Sequence, residues 1–224
     1  MSIVFAAISP HPPIILPSVG SKEDREKVKK TIENLEFLGG ELKKASPDLI
    51  IISSPHPDWG FNVPLFFLTK DFKEEVDEAD ASSPPFADAR VIEQHLIGLE
   101  SPQFYFEQGK KLSGGLASDN SIDKKIILIA SGDLSHCLKE DGPYGFQEDG
   151  PKFDKVLIDS LKKKDINTIL KLDEMFPEAG ECGLRSFCFM LGILEGSGVK
   201  YQPEILSYEG PFGVGYLVAN FKLK

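Results

Sequence analysis

Three of the four histidines in this 224-residue chain follow short apolar runs, and two of them occupy the same tetrapeptide. The run Ile3-Val4-Phe5-Ala6-Ala7-Ile8 leads into Ser9-Pro10-His11-Pro12, and Leu49-Ile50-Ile51-Ile52 leads towards Ser54-Pro55-His56-Pro57. A third run, Ile126-Ile127-Leu128-Ile129-Ala130, ends in Ser131-Gly132-Asp133-Leu134-Ser135-His136. A residue before proline is driven out of the right-handed helical region into extended geometry, so Pro12 and Pro57 hold His11 and His56 in similar conformations. Prolines on both sides also stiffen the segment and lower the entropy cost of presenting an imidazole. Two rigidly presented imidazoles are what a metal site asks of its ligands. A single histidine after a strand is ordinarily a turn residue with a satisfied hydrogen bond. The repetition of a whole tetrapeptide in equivalent places argues for a metal or catalytic cluster.

Such a site needs a third ligand, and Glu181 is the first choice. It stands just before a helix expected to begin near Gly183, where the helix dipole favours a carboxylate. The same position suits a plain capping carboxylate. Cys182 is the rival ligand, and its thiolate would favour zinc or copper over ferrous iron. Two histidines and a carboxylate form the facial triad of non-haem Fe(II) oxygenases, which keeps positions open for substrate and oxygen. Asp133 reads either as the cap of a helical turn or as a carboxylate that orients an imidazole or a substrate hydroxyl. His136 reads as a further ligand or as a general acid/base, since an unperturbed imidazole titrates near neutrality. His95 follows no strand signal and reads as structural or surface, and Cys188 as core.

The elements that must position these groups are legible as alternating periods. Residues 3–8, 49–52 and 126–130 are continuous apolar runs, the pattern of strands covered on both faces. Lys22 to Ala45 carries Val28, Ile32, Leu35, Leu38 and Leu42 at helical spacing, and Ser46-Pro47-Asp48 ends it. Strand, helix, strand over the first fifty residues is the βαβ signature of a parallel sheet. Further along, Val63 to Thr69 reads as a strand, 71–88 as an acidic surface excursion, 89–99 as weakly helical and Ser113 to Asn120 as a loop. Two short helices (Phe153 to Leu161, then Ile166 to Leu170), an apolar helix Leu184 to Leu194 and a final strand Gly213 to Phe221 follow. The fold class expected is α/β, a single domain over 1–224 with a central, largely parallel or mixed sheet flanked by helices on both faces. In such a sheet the loops leaving the strands' carboxyl ends gather at one edge, where ligands bind. Neighbouring strands would therefore bring His11, His56 and His136 together.

Bulk properties exclude several functions. A formal charge of −10 argues against nucleic acid as a partner, because phosphate binding needs a basic footprint. The N-terminal apolar run has no basic residues before it and is soon interrupted by prolines, which argues against a signal peptide or a membrane span. Cys137, Cys182 and Cys188 are odd in number and form no Cys-x-x-Cys pair, so a disulfide framework is not expected and a cytoplasmic setting is. A homo-oligomer is the expected assembly state.

Taken in order, the two Ser-Pro-His-Pro tetrapeptides, Gly132-Asp133-Leu134-Ser135-His136, Gly180-Glu181-Cys182-Gly183 and Ser207-Tyr208-Glu209-Gly210-Pro211-Phe212-Gly213-Val214-Gly215-Tyr216 resemble the class III extradiol ring-cleavage dioxygenase superfamily. The similarity is to the catalytic B-subunit type, as in protocatechuate 4,5-dioxygenase, and to its Memo-like relatives. The resemblance implies Fe(II) held by His11, His56 and Glu181, with His136 as catalytic acid/base and Asp133 supporting it. It also implies a catechol-type substrate that binds the metal through vicinal hydroxyls, O2 as co-substrate, and a small companion subunit in some relatives. His136 would take a hydroxyl proton on substrate binding and return one as the ring opens. Trp59, Phe61 and Tyr144 are candidate aromatic walls, with core packing the commoner role for any one of them. The chain departs from the pattern at Glu181-Cys182: ring-cleaving members use the glutamate, whereas Memo-like members place a cysteine near this point. The alternatives are thus a Memo-like metal-binding protein without ring cleavage and a zinc hydrolase working through metal-bound water.

Overall fold

The computed structural model of the protein describes residues 2–70, 91–118 and 124–224. Strands β1 (Ser2–Ser9), β2 (Leu49–Ser54), β3 (Val91–Leu96), β4 (Lys125–Ser131), β5 (Tyr201–Glu209) and β6 (Tyr216–Leu223) form one sheet in the order β3-β2-β4-β1-β6-β5. The first four are mutually parallel, while β6 runs antiparallel to β1 and β5 antiparallel to β6. The sheet is mixed, with a parallel half that carries the histidine loops and an antiparallel hairpin at its edge. Helices are α1 (Lys22–Lys27), α2 (Lys29–Ala45), α3 (Trp59–Thr69), α4 (Pro102–Ser118), α5 (Asp149–Lys163), α6 (Ile166–Ile169), α7 (Leu172–Met175) and α8 (Leu184–Ser197).

Period-two alternation sorts the apolar runs between two cores. Ala6, Ile8, Leu49, Ile51, Ile126, Leu128 and Ala130 face a cluster shared with α4, α5 and α8. Phe5, Ala7, Ile50, Ile52, Ile127 and Ile129 face the opposite cluster, built on α2 and α3. Because both faces are covered, β1, β2 and β4 must be apolar throughout, which is why the sequence announces them so plainly.

Elsewhere the structure corrects the expectations. Val63 to Thr69 is the body of α3, where Phe61, Val63, Pro64, Phe67 and Leu68 are buried at helical steps against α2. Residues 91–96, expected to be helical, form edge strand β3, which pairs only with β2 among the described strands; its polar face reads as no strand because one edge meets no sheet partner. His95 lies in that strand, with its ring 5.1 Å from Phe189. Helix α4 runs to Ser118 through the expected loop, because its other face packs on α8 and overrides the low propensity of Gly114 and Gly115. The first long helix is broken at Val28, which turns inward to be fully buried. Strand β5 was not expected, and β6 begins at Tyr216, since Gly213 to Gly215 instead pair with the loop after β4. The acidic excursion expected at 71–88 lies outside the described residues.

Candidate metal centre

Strands β2, β4 and β1 are adjacent and parallel, so the loops that carry His56, His136 and His11 leave one edge of the sheet side by side. The hairpin turn between β5 and β6 reaches the same edge. Leu134 N donates to Gly215 O at 2.8 Å and Gly215 N to Ser135 O at 2.8 Å, which locks the His136 loop to that turn. Ser9 and Ser131, paired in register at the ends of β1 and β4, place the first and third loops level.

His11, His56 and Cys182 converge there, their nearest ligand atoms all within 4.8 Å of one another. The two imidazoles meet edge to face with centroids 5.1 Å apart, and Cys182 Sγ lies 3.7 Å from His11 Nε2. His11 is buried, Cys182 half-buried and His56 exposed, so the cluster opens to solvent on the His56 side. Burial, with the charge of His56 as the smaller cause, pushes the His11 pKa down to about 3, which keeps its imidazole neutral and able to donate a lone pair.

The hydrogen bonds fix which nitrogen is free. Ser131 Oγ donates its single proton to Gly60 O at 2.5 Å, so towards His11 Nδ1, 3.0 Å away, it can only accept. His11 therefore carries its proton on Nδ1 and leaves Nε2 bare, facing Cys182. Gly60 O is available because the residue four positions on is Pro64, which has no N–H to close that helical turn. Gly60 itself must lack a side chain, since a Cβ there would sit 1.9 Å from Ser54 Oγ and 3.1 Å from His56 Cβ. His56 is held by its own strand end, with its N–H donating to Ser54 Oγ at 3.1 Å.

Asp133 is buried and joins the loops: its Oδ1 accepts from His11 N at 2.9 Å, and its carbonyl accepts from Gly183 N at 3.0 Å. Its carboxylate thus orients the His11 backbone, not an imidazole. Burial pushes its pKa up to about 6 despite that N–H. Cys182 Sγ in turn accepts from Asp133 N at 3.3 Å. Burial first, then the charge of Asp133, raises the thiol well above its ordinary range. Two imidazoles and a thiol, with the buried Asp133 carboxylate hydrogen-bonded to the His11 backbone beside them, form a donor set that lacks only a positive charge. A cation placed among them would reverse the Cys182 shift, because a coordinating thiol is deprotonated. The residues fit a metal.

Glu181 is engaged elsewhere. Its Oε2 accepts from Leu184 N at 2.6 Å, capping α8, and its Oε1 pairs with Arg185 at 3.1 Å. Burial raises its pKa, opposed by the Leu184 N–H and the Arg185 charge. The structure brings Cys182, not Glu181, to the two histidines.

His136 is half-buried beside the cluster, close enough to Asp133, His11 and His56 for their charges to act on it. Its Nδ1 lies 2.6 Å from Gly180 O, an atom that can only accept, so Nδ1 bears the proton and Nε2 is free as a base. Burial is the main cause that lowers its pKa, with Asp133 opposing. Of the aromatic residues singled out in the sequence, Tyr144 stands against His136 with ring centroids 5.3 Å apart, Trp59 is exposed, and Phe61 belongs to the core. Gly60, Pro64 and Arg185 escaped the sequence reading, and Ser131 entered it only as part of a motif, with no role of its own. One signal was available: each of the three strands ends in serine, at Ser9, Ser54 and Ser131.

Among the described residues no helix is long and apolar enough to cross a membrane. Residues 56–219 match the family model described as the catalytic LigB subunit of aromatic ring-opening dioxygenase. The chain is 29% identical over 292 aligned positions to Protein CA_C1420 of Clostridium acetobutylicum, an alignment that covers 99% of this chain and 58% of that protein. It thus spans a little over half the length of that relative. A crystal structure of the uncharacterized protein JW3007 from Escherichia coli K12 shares the fold at 15% identity and a TM-score of 0.54, over 96% of this chain and 98% of that one. The matched segment takes in His56, the His136 loop, Glu181-Cys182 and the turn of the closing hairpin, and the chain belongs to the family of the catalytic LigB subunit of aromatic ring-opening dioxygenases.

Proposed function

We propose that the protein holds one transition-metal ion through His11, His56 and Cys182, and that, as the family match supports, this centre loaded with ferrous iron opens the ring of a catechol-type substrate with O2, a thiolate standing where the resemblance to ring-cleaving members implies a glutamate. The observation that carries the reading is the convergence of three donor atoms beside His136, whose Nε2 is unprotonated and unclaimed. A metal bound there would supply Lewis-acid binding of vicinal hydroxyls and of oxygen. The chain supplies the remainder. His136 Nε2 takes a proton from a substrate hydroxyl, and the Gly180 carbonyl stabilises the resulting imidazolium through Nδ1–H. Tyr144 walls the approach to that imidazole, while the buried His11 and Asp133 keep water from the inner side.

The test is oxygen uptake and formation of the yellow ring-opened semialdehyde by anaerobically prepared, Fe(II)-loaded protein across a catechol panel. Absence of both, with iron bound stoichiometrically, overturns ring opening. A second reading, a Memo-like metal-binding protein that does not cleave rings, is favoured by the softness of the Cys182 donor: a thiolate suits zinc or copper better than ferrous iron, and Glu181, the carboxylate that iron would prefer, is engaged with Leu184 and Arg185. Stoichiometric zinc or copper in protein purified without added metal, together with no oxygen uptake, would favour it.

A further inference from the structure

Arg185 is the most heavily committed side chain near the centre. Its Nε donates to Glu100 O at 2.6 Å, one terminal nitrogen to Glu181 Oε1 at 3.1 Å and the other to Asp173 Oδ2 at 3.2 Å. These partners come from the loop before α4, from the ligand loop and from α7, so the guanidinium is held in one orientation by three separate elements. Arginine suits this task, since its planar fork offers donors in several fixed directions at once. The side chain of Glu181 is only 8% exposed, and Leu184 N occupies its second oxygen. Two potential ligands, a carboxylate and a thiol, thus stand next to each other in the chain: the carboxylate is tied by an ion pair and a short backbone N–H bond, the thiol only by weaker contacts to the Asp133 backbone.

We propose that Arg185 is a positioning residue that selects the third ligand: by holding Glu181 on the first turn of α8, it reserves the metal position for Cys182. The inference rests on the metal-binding reading above and adds the device that sets the ligand's chemical type, hard oxygen or soft sulfur. Without the guanidinium, Glu181 would be a buried carboxylate with one N–H partner, and a neighbouring cation would become its best remaining counter-charge.

Cobalt(II) loaded into the full-length protein reports the ligand directly, because a thiolate ligand gives a sulfur-to-cobalt charge-transfer band. The wild type is expected to show this band. In Arg185→Met the band is expected to lose at least half its intensity and cobalt affinity to fall about tenfold, the usual size of an effect one step removed from a metal. Adding Glu181→Gln to Arg185→Met is expected to restore the band, since a neutral amide keeps the Leu184 hydrogen bond but competes poorly for the cation. Rescue by a second substitution is what a merely structural role of Arg185 would not produce. An unchanged band and affinity in Arg185→Met overturns the proposal, as does a band that stays lost in the double variant. Should the methionine variant not unfold cooperatively, Arg185→Lys, which cannot span all three partners, is read in the same way. A wild type that binds cobalt without the sulfur band, or binds none, would instead overturn the ligand assignment on which the proposal rests.

Discussion

His11 can offer a metal only Nε2, because Nδ1 is committed to Ser131 and Ser131 has already given its proton to Gly60 O. Removing that hydroxyl frees the imidazole to rotate and to change tautomer. Ser131→Ala is therefore expected to lower metal affinity about 10- to 100-fold, measured by competition with a chelator, while the fold persists. His136 is a different case, since its imidazole is fixed by the Gly180 carbonyl and is not one of the three converging donors. His136→Gln is expected to retain stoichiometric metal yet lose turnover by a factor of about 10² to 10⁴, the range typical of a lost acid/base. Loss of metal together with activity would make His136 a ligand instead.

The elements reach this edge only because glycine lets backbones meet. A Cβ on Gly192 of α8 would sit 2.0 Å from Phe106 O on α4, and one on Gly132 would sit 2.2 Å from Gly183 Cα, between the His136 loop and the ligand loop. In contrast, a Cβ on Gly40 in α2 meets nothing within 4 Å. Gly192→Ala is thus expected to destabilise by about 1–3 kcal/mol or more, the usual cost of overpacking. Gly40→Ala is expected to stabilise by about 0.5–1 kcal/mol through helix propensity alone. Urea midpoints of the two variants should move in opposite directions, and a shared direction would contradict the packing described. The same contrast separates the two glycines inside α2: a Cβ on Gly39 would sit 2.6 Å from Phe67 O on α3, whereas its neighbour faces open space.

Across the whole molecule, one buried acid ties the site to the sheet's far hairpin. Asp154 on α5 accepts from Ser135 N at 2.8 Å and from Tyr208 Oη at 2.5 Å, and burial pushes its pKa up to about 7 against these donors. In the unfolded chain the same group ionises near 4. Between about pH 4 and pH 7 the folded state therefore holds a proton that the unfolded state has released, and stability from this group is lost as pH rises. Asp154→Asn, which can still accept from Ser135, is expected to flatten the decline in thermal stability between pH 5 and pH 8. An identical slope in both proteins would show that Asp154 ionises normally. The net charge of −10 sets a broader background, and because Asp154→Asn changes it only to −9, that background nearly cancels in the comparison.

Strands β1, β2 and β4 were legible because burial on both faces demands unbroken apolar runs, and His11 and His56 after the first two were legible because proline fixes their local geometry. Strand β3, helix α3 and the extent of α4 were not, because their identity depends on which surfaces pack against α2, α8 and β2. The same division runs through the site. His11, His56 and His136 follow from strand ends and parallel pairing, which sequence pattern specifies. The choice between Glu181 and Cys182 does not, since adjacent residues point in different directions and neither residue type nor spacing records where each carboxylate or thiol lands. In space the carboxylate meets Arg185 and the Leu184 N–H, partners that local sequence does not reveal, while the thiol lies beside the two histidines.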